Sequence, residues 1–226
     1  MARLTFTSVD AHTCGNPVRV FLDGAPPLEG ATLMEKRLYF LREYDHIRTG
    51  LMYEPRGHDI MSGTFLYPSH DPECDIGVLF VETSGCLPMC GHGLIGTVTV
   101  LVERGVVTPR KPGVVAVETP AGRIDAHYIM EGDRVASVRF VNVPSYVHSR
   151  GLKVECPGLG ELTVDVAYGG NYYAIVEPQE NYAGLEAITA ADIRNWSPVC
   201  RRRLNDEHAF VHPEDDRIRG LSHLMW

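Results

Sequence analysis

Two stretches of the sequence read as one pattern written twice. Val9-Asp10-Ala11-His12-Thr13-Cys14-Gly15-Asn16-Pro17-Val18-Arg19-Val20 is echoed by Val164-Asp165-Val166-Ala167-Tyr168-Gly169-Gly170-Asn171-Tyr172-Tyr173-Ala174-Ile175-Val176. Each runs strand, turn, Gly-Asn, strand, and aligning Gly15-Asn16 with Gly170-Asn171 sets an offset of 155 residues. A helix-like segment follows each copy, over 33–49 and 189–205, with Thr32 set against Thr189. Repetition on this scale points to two similar units; chance recurrence of a common Gly-Asn turn is the competing explanation. The units are expected over residues 1–122 and 123–226. Doubling the repeat gives a length of roughly 310 residues. The second unit is therefore expected to stop short of its counterpart of Cys90, and Gly220-Leu-Ser-His-Leu-Met-Trp226 reads as a strand start without a finish.

The chain has 226 residues, 44% hydrophobic and 22% charged, an ordinary composition for one large or two modest domains. A formal charge of -8 leaves no basic surplus to neutralise phosphates, which argues against nucleic acid as a partner. No apolar run reaches the ~18 residues of a membrane helix. The opening MARLTFTSVDAHTCG has no long apolar core of the signal-peptide kind, so a cytoplasmic location is expected. Six cysteines (14, 74, 86, 90, 156 and 200) are too sparse for a disulfide scaffold. They read as reduced thiols, mostly small core residues, with one or two reactive.

Periodicity predicts strands over 4–9 and 18–22, with the turn formers Asp10–Pro17 between them. Thr32-Leu33-Met34-Glu35 has capping-box spacing before one helix that Gly50 would end. Two strands are expected near 60–67 and 76–83. Leu94–Arg104, apolar on nearly every face and closed by Gly105, reads as a buried helix. From 114 onward the pattern is mostly strands, at VVAVE (114–118), RIDAHYI (123–129), VASVRFVNV (135–143), LTVDVAY (162–168) and YYAIVE (172–177), with a helix over 185–205 signalled by Thr189 and Asp192. The class is α+β.

The chemistry concentrates in SGCLPMCGHGLIG, residues 84–96. Cys86, Cys90 and His92 have C-x3-C-x-H spacing, but zinc knuckles show a second close pair, and none of the other cysteines forms one. No metal is expected. The glycines lack both the Lys-Ser/Thr of a P-loop and the order of a dinucleotide fingerprint. A tight turn into a core helix, with Cys90 as small filler, is the plain alternative. Gly91 and Gly93 favour a working site: N–H groups at a helix start carry partial positive charge, and glycines let a ligand approach them. A thiol there is expected to have a lowered pKa, and the N–H groups to hold a carboxylate. One thiol per duplicated half suits inversion at a carbon, in which one group removes a proton from one face and another delivers a proton to the opposite face.

Beyond this, DAHTCGNPVR at 10–19, MEKRLYFLREYDHIRTGLM at 34–52, EPRGHDIMSG at 54–63, ETSGCLPMCGHGLIGT at 82–97, DVAYGGNYYAIVEPQENY at 165–182 and LSHLMW at 221–226 carry a family likeness. The chain resembles the N-terminal two-thirds of the proline racemase family, most closely its 4-hydroxyproline 2-epimerases. The resemblance implies a diaminopimelate-epimerase-like fold: two pseudo-symmetric domains, each a mixed β-sheet wrapped round a central helix, the second incomplete. It implies no cofactor, neither pyridoxal phosphate nor metal. The partner it implies is a small imino-acid substrate, with no membrane and no nucleic acid; a homodimer is the family-level expectation. Cys90 matches the first catalytic cysteine, the proton acceptor of one face. Gly91 and His92 match residues that bind the substrate carboxylate through backbone N–H groups, and His223 a histidine near the substrate. Cys86 matches a non-catalytic neighbour, read as packing. His12, Cys14 and His58 are read as shaping their turns.

The implied reaction is epimerisation of trans-4-hydroxy-L-proline to cis-4-hydroxy-D-proline by two thiols. The family's second cysteine lies in an Asp-Arg-Ser-Pro-Cys-Gly-Thr-Gly stretch, which this sequence does not contain. Cys200, in Ser197-Pro198-Val199-Cys200-Arg201, lacks the following glycines and is not taken as the missing acid. The 226 residues alone are therefore expected to be inactive as an epimerase. A trans-3-hydroxy-L-proline dehydratase, with threonine at the second site, and a non-catalytic truncated fragment are the alternatives.

Overall fold

The structure, a computed structural model, describes residues 4–226. It falls into two compact units, Met1–Val143 and Pro144–Trp226.

In the first unit, β1 (Thr7–Thr13) and β2 (Asn16–Asp23) form an antiparallel hairpin closed by the pair Thr13↔Asn16. Cys14 and Gly15 make the turn, with φ of 49° and 92°. Two successive positive φ values match the twist of the strands, so two residues suffice where turn composition suggested a loop from Asp10 to Pro17. His12 shapes this turn as expected, its Nδ1 accepting the Gly15 N–H at 3.2 Å.

Two helices follow where one was expected, α1 (Leu33–Glu43) and α2 (Asp45–Met52). Thr32 caps the first, its hydroxyl accepting the Glu35 N–H at 3.2 Å, while Glu35 reaches back to the Ala31 N–H at 2.7 Å. Tyr44, at φ −124° and ψ 13°, breaks the helix. The break lets α2 bury Ile47, Arg48, Leu51 and Met52, so Gly50 lies inside a helix instead of ending one. Buried Arg48 holds Asp45 at 2.6 Å and donates to the Glu82 and Thr83 carbonyls at 2.8 and 2.9 Å.

The unit continues with β3 (Ser62–Tyr67), β4 (Ile76–Glu82), β5 (Gly85–Leu87), α3 (Gly91–Glu103), β6 (Val114–Thr119), β7 (Gly122–Glu131) and β8 (Arg134–Phe140). The strands lie in the order β1-β2-β3-β4-β6-β7-β8, with β5 beside β4. β2 with β3 and β4 with β6 are parallel pairs, so the sheet is mixed. Strands from both ends of that order, β1 and β2 at one and β7 and β8 at the other, touch α3. The sheet therefore curls round α3, which explains why that helix is apolar on most faces. The boundary read from the sequence, between 122 and 123, falls inside β7, whose tight hairpin with β6 keeps it in this sheet.

Both faces of the central strands β3 and β4 are buried, and the period of two sorts their side chains. On β4, Val78 and Phe80 join Leu94 and Val98 of α3, while Leu79 and Val81 join Phe40, Ile47 and Met52 of the outer helices. Cys86 packs in the outer core and Cys90 beside the inner one. The C-x3-C-x-H residues are thus divided between the two cores.

The second unit contains β9 (Tyr146–Cys156), β10 (Gly160–Tyr168), β11 (Tyr172–Ile175), α4 (Ala190–Glu207) and β12 (Leu221–Met225), in the strand order β12-β11-β10-β9. Its β10–β11 hairpin is the second copy of the repeat. Gly170, aligned with Gly15, has the same φ of 92°. A capped helix follows each hairpin, and then a strand parallel to the hairpin's second strand: β3 on β2, β12 on β11. Thr189 and Asp192 form a full capping box that starts α4 at Ala190, with a short 3-10 turn, Leu185–Ala187, before it. Asn205 of α4 pins β12 through the Leu221 N–H and carbonyl at 2.7 and 3.1 Å. Among the described residues no helix is long and apolar enough to cross a membrane.

Candidate active site at the start of the wrapped helix

Cys90 is the N-cap of α3, with extended φ and ψ of −142° and 113°. Extended β5 and Pro88 deliver it there, and the Leu94 N–H closes the first helical turn on its carbonyl at 2.9 Å. The helix begins at Gly91, three residues before the apolar run that signalled it. The N–H groups of Gly91, His92 and Gly93 thus open the helix, where no intrahelical carbonyl can accept them. The surroundings are close. A Cβ on Gly91 would lie 3.4 Å from the Phe140 ring, and one on Gly93 would lie 3.2 Å from Cys90 Sγ and 3.3 Å from the Phe80 ring. Thr13 ties the β1–β2 turn to the site by donating to the His92 carbonyl at 2.9 Å.

Cys90 Sγ and His92 Nδ1 are 3.3 Å apart, and His92 Nε2 is 3.3 Å from the Pro17 carbonyl. A carbonyl can only accept, so Nε2 carries the proton and the Nδ1 lone pair faces the thiol. Burial lowers the His92 pKa, partly offset by the Pro17 carbonyl and by Glu82, which fits a neutral ring. The thiol departs from expectation. Burial pushes Cys90 up to about 12; the Gly93 N–H pulls the other way, and the Glu82 carboxylate adds to the rise. Desolvation outweighs the helix terminus, so the resting group is a thiol whose proton faces Nδ1, not a thiolate.

The structure brings Cys90, Gly91 and His92 together in one turn. His223 lies in the second unit on β12, opposite Tyr173 in register and stacked on its ring at 5.5 Å. Cys200 is fully buried in the middle of α4, its thiol interacting with that of Cys156. Among the described residues no group of three or more His, Cys, Asp or Glu side chains is placed to hold a metal ion. The sequence reading used His92 for its backbone alone and missed its imidazole, along with Thr13, Phe140 and Glu82. Thr13 and Glu82 lay inside the family-like stretches, whereas Phe140 carried no signal.

The profile of the proline racemase family, described as "Proline racemase", matches residues 8–226. A 4-hydroxyproline 2-epimerase of Ancylobacter novellus is 58% identical over 226 residues, covering all of this chain and 68% of its own length. A 4-hydroxyproline 2-epimerase 2 of Brucella anthropi is 59% identical, with 67% of its length covered. Among solved structures, a hydroxyproline epimerase of Agrobacterium vitis with bound trans-4-hydroxy-L-proline aligns at TM-score 0.88 and 26% identity, over 98% of this chain and 66% of that one. A probable proline racemase of Agrobacterium radiobacter K84 with bound carbonate aligns at TM-score 0.87 and 30% identity, over 97% and 66%. The chain spans about two-thirds of the length of these relatives. With the expected sheet wrapped round a helix, the expected thiol at that helix's start and these matches from end to end, the chain belongs to the proline racemase family.

Proposed function

We propose that this chain carries the Cys90 side of a cofactor-independent epimerase that interconverts trans-4-hydroxy-L-proline and cis-4-hydroxy-D-proline at the α-carbon. The observation that carries this reading is the Cys90–His92 turn, with a thiol, a neutral base against it and helix-opening N–H groups. The names of the two near-60% relatives and the ligand of the Agrobacterium vitis structure support the substrate. A cytoplasmic setting fits six cysteines that are all free thiols.

The substrate carboxylate accepts from the N–H groups of Gly91 and His92, which places the α-carbon at the sulfur. In one direction the Cys90 S–H delivers its proton to the α-carbon while a base on the opposite face takes the original proton. In the other, His92 Nδ1 accepts the S–H proton, the resulting thiolate removes the α-proton, and the protonated opposite-face group delivers a proton to the other side of the α-carbon. One proton leaves and one arrives, so substrate and product are isomers and nothing else is consumed. Cys156 and Cys200 are not the opposite-face group, because both thiols are sealed in the core at 1% and 0% exposure.

Incubation with trans-4-hydroxy-L-proline in deuterated water, using a form of the protein that also carries the opposite-face group, tests this, with polarimetry and proton NMR as readouts. The expected result is α-deuterium incorporation with a change in optical rotation, reduced by at least about 100-fold in Cys90→Ser. Exchange that survives the substitution would overturn the thiol assignment, and a pyrroline product would favour the dehydratase.

A further inference from the structure

We propose that Cys156 and Cys200 are a further reactive site in the second unit: a dithiol that closes to a disulfide under peroxide and so latches α4 to the β9 edge of its sheet. The two sulfurs meet because one face of α4 abuts the end of β9. Trp196, Cys200 and Arg203 are four and three residues apart, which puts them on one side of the helix. Each meets a neighbouring part of the chain between 155 and 158. A Cβ on Gly158 would lie 2.9 Å from the Trp196 ring, and Arg203 donates to the Glu155 carbonyl. Between these two contacts the Cys156 thiol donates to Cys200 Sγ, with the Pro157 carbonyl at 3.6 Å as its other acceptor. Both cysteines are buried.

The helix is placed for a latch. It reaches both edge strands of the order β12-β11-β10-β9: Arg201 donates to the Ser222 carbonyl at 3.0 Å and Asn205 holds Leu221 on β12, while the Trp196 face holds β9. Yet of its 18 residues only Cys200 and Leu204 are buried. Little apolar surface anchors it, so a covalent bond at Cys200 adds a strong tie. Pro198, two residues before Cys200, has no N–H to give to the preceding turn, so α4 is weakest beside the thiol. Opening there admits hydrogen peroxide, which is scarcely larger than water. Burial raises the Cys200 pKa, while the Cys156 S–H and the Arg203 guanidinium pull it back, so Cys200 is the attacking sulfur. Its thiolate takes one peroxide oxygen as the O–O bond breaks; the departing hydroxide and the thiol proton make one water. The Cys156 sulfur then displaces the hydroxyl of the Cys200 sulfenic acid, which leaves with the second thiol proton as another water. Two thiols lose two electrons and one peroxide gains them.

The test treats the folded chain with hydrogen peroxide, blocks the remaining thiols with iodoacetamide in urea, and reads tryptic peptides by mass spectrometry. Trypsin separates the two cysteines into peptides 154–194 and 195–201, so the disulfide shows as that linked pair, lost on reduction. The linked pair is expected in monomeric protein, with Tm raised by about 5–10 °C and restored by dithiothreitol. Cys156→Ala and Cys200→Ala are each expected to abolish the rise, and Cys74→Ala, which removes a different buried thiol, to keep it. The linked pair itself is read in wild type, so the result stands even where a variant does not fold. Peptides 154–194 and 195–201 recovered alkylated and unlinked, or linked only to other cysteines, would overturn the pairing. A linked pair with Tm unchanged or lowered would overturn the latch.

Discussion

At position 92 one side chain and its own backbone do different work. In the proposed site the N–H holds the substrate carboxylate, while the imidazole, with Nε2 on the Pro17 carbonyl, turns a lone pair to the Cys90 thiol. The two contributions separate on substitution. His92→Asn keeps the backbone N–H and can place an amide oxygen near the sulfur, but it cannot take a proton. It is expected to slow α-deuterium exchange by about 10²–10⁴-fold while protection of Cys90 from iodoacetamide by trans-4-hydroxy-L-proline stays near wild type. Loss of protection in step with the rate would mean that the ring is structural. The motif made Cys90, Gly91 and His92 legible in the sequence. The tautomer was not, because it depends on a carbonyl 75 residues away. The raised thiol pKa was hidden for a similar reason: helix-terminus logic gives the local field, and burial is set by the sheet that surrounds it.

Between elements, the closeness of α3 to β2 is the constraint with a measurable consequence. A Cβ on Gly96 would lie 2.3 Å from the Val18 Cγ1 methyl, so the helix lies against the strand with no room for a side chain. Gly96→Ala is expected to destabilise by about 1–3 kcal/mol through overpacking, despite a gain in helix propensity of ~1 kcal/mol. Gly50, inside α2, would meet nothing within 4 Å. There Ala is expected to stabilise by about 0.5–1 kcal/mol. Urea titrations of both variants check the pair, and the same sign for both would contradict the close approach. Caps and apolar periods made α1, α3 and α4 legible. The break at Tyr44 was not, since it serves the burial of Arg48 against the end of β4. β9 was missed because its alternation is interrupted by Ser149-Arg150-Gly151, and it becomes a strand by pairing with β10.

Across the whole molecule, buried thiols set a shared response to alkali. Burial pushes Cys74, Cys86, Cys90 and Cys156 each up to about 12 from an ordinary 9.0. The unfolded chain loses these protons first, from about pH 9, while the folded chain keeps them. The unfolded state then binds fewer protons, so stability falls as pH rises from about 9 towards 12 and is unaffected by these groups below that window. Thermal scans are expected to give a steady Tm from pH 7 to about 8.5 and a progressive fall above about pH 9, shallower in Cys86→Ala. A flat Tm through pH 11 would contradict the burial of the thiols.

The sequence by itself determined the two hairpins with their glycine turns, the capped helices that follow them, the thiol before a glycine-led helix and the family. These follow from local geometry: turn dihedrals, cap spacing and apolar period act over a few residues, and a repeat exposes them twice. Only the tertiary structure decided that the sheet curls until both its ends meet α3, which places Cys90 on one core and Cys86 on the other. It also decided that the sulfur rests protonated against a neutral imidazole. Those outcomes depend on burial and on contacts between distant strands, which a linear pattern does not encode.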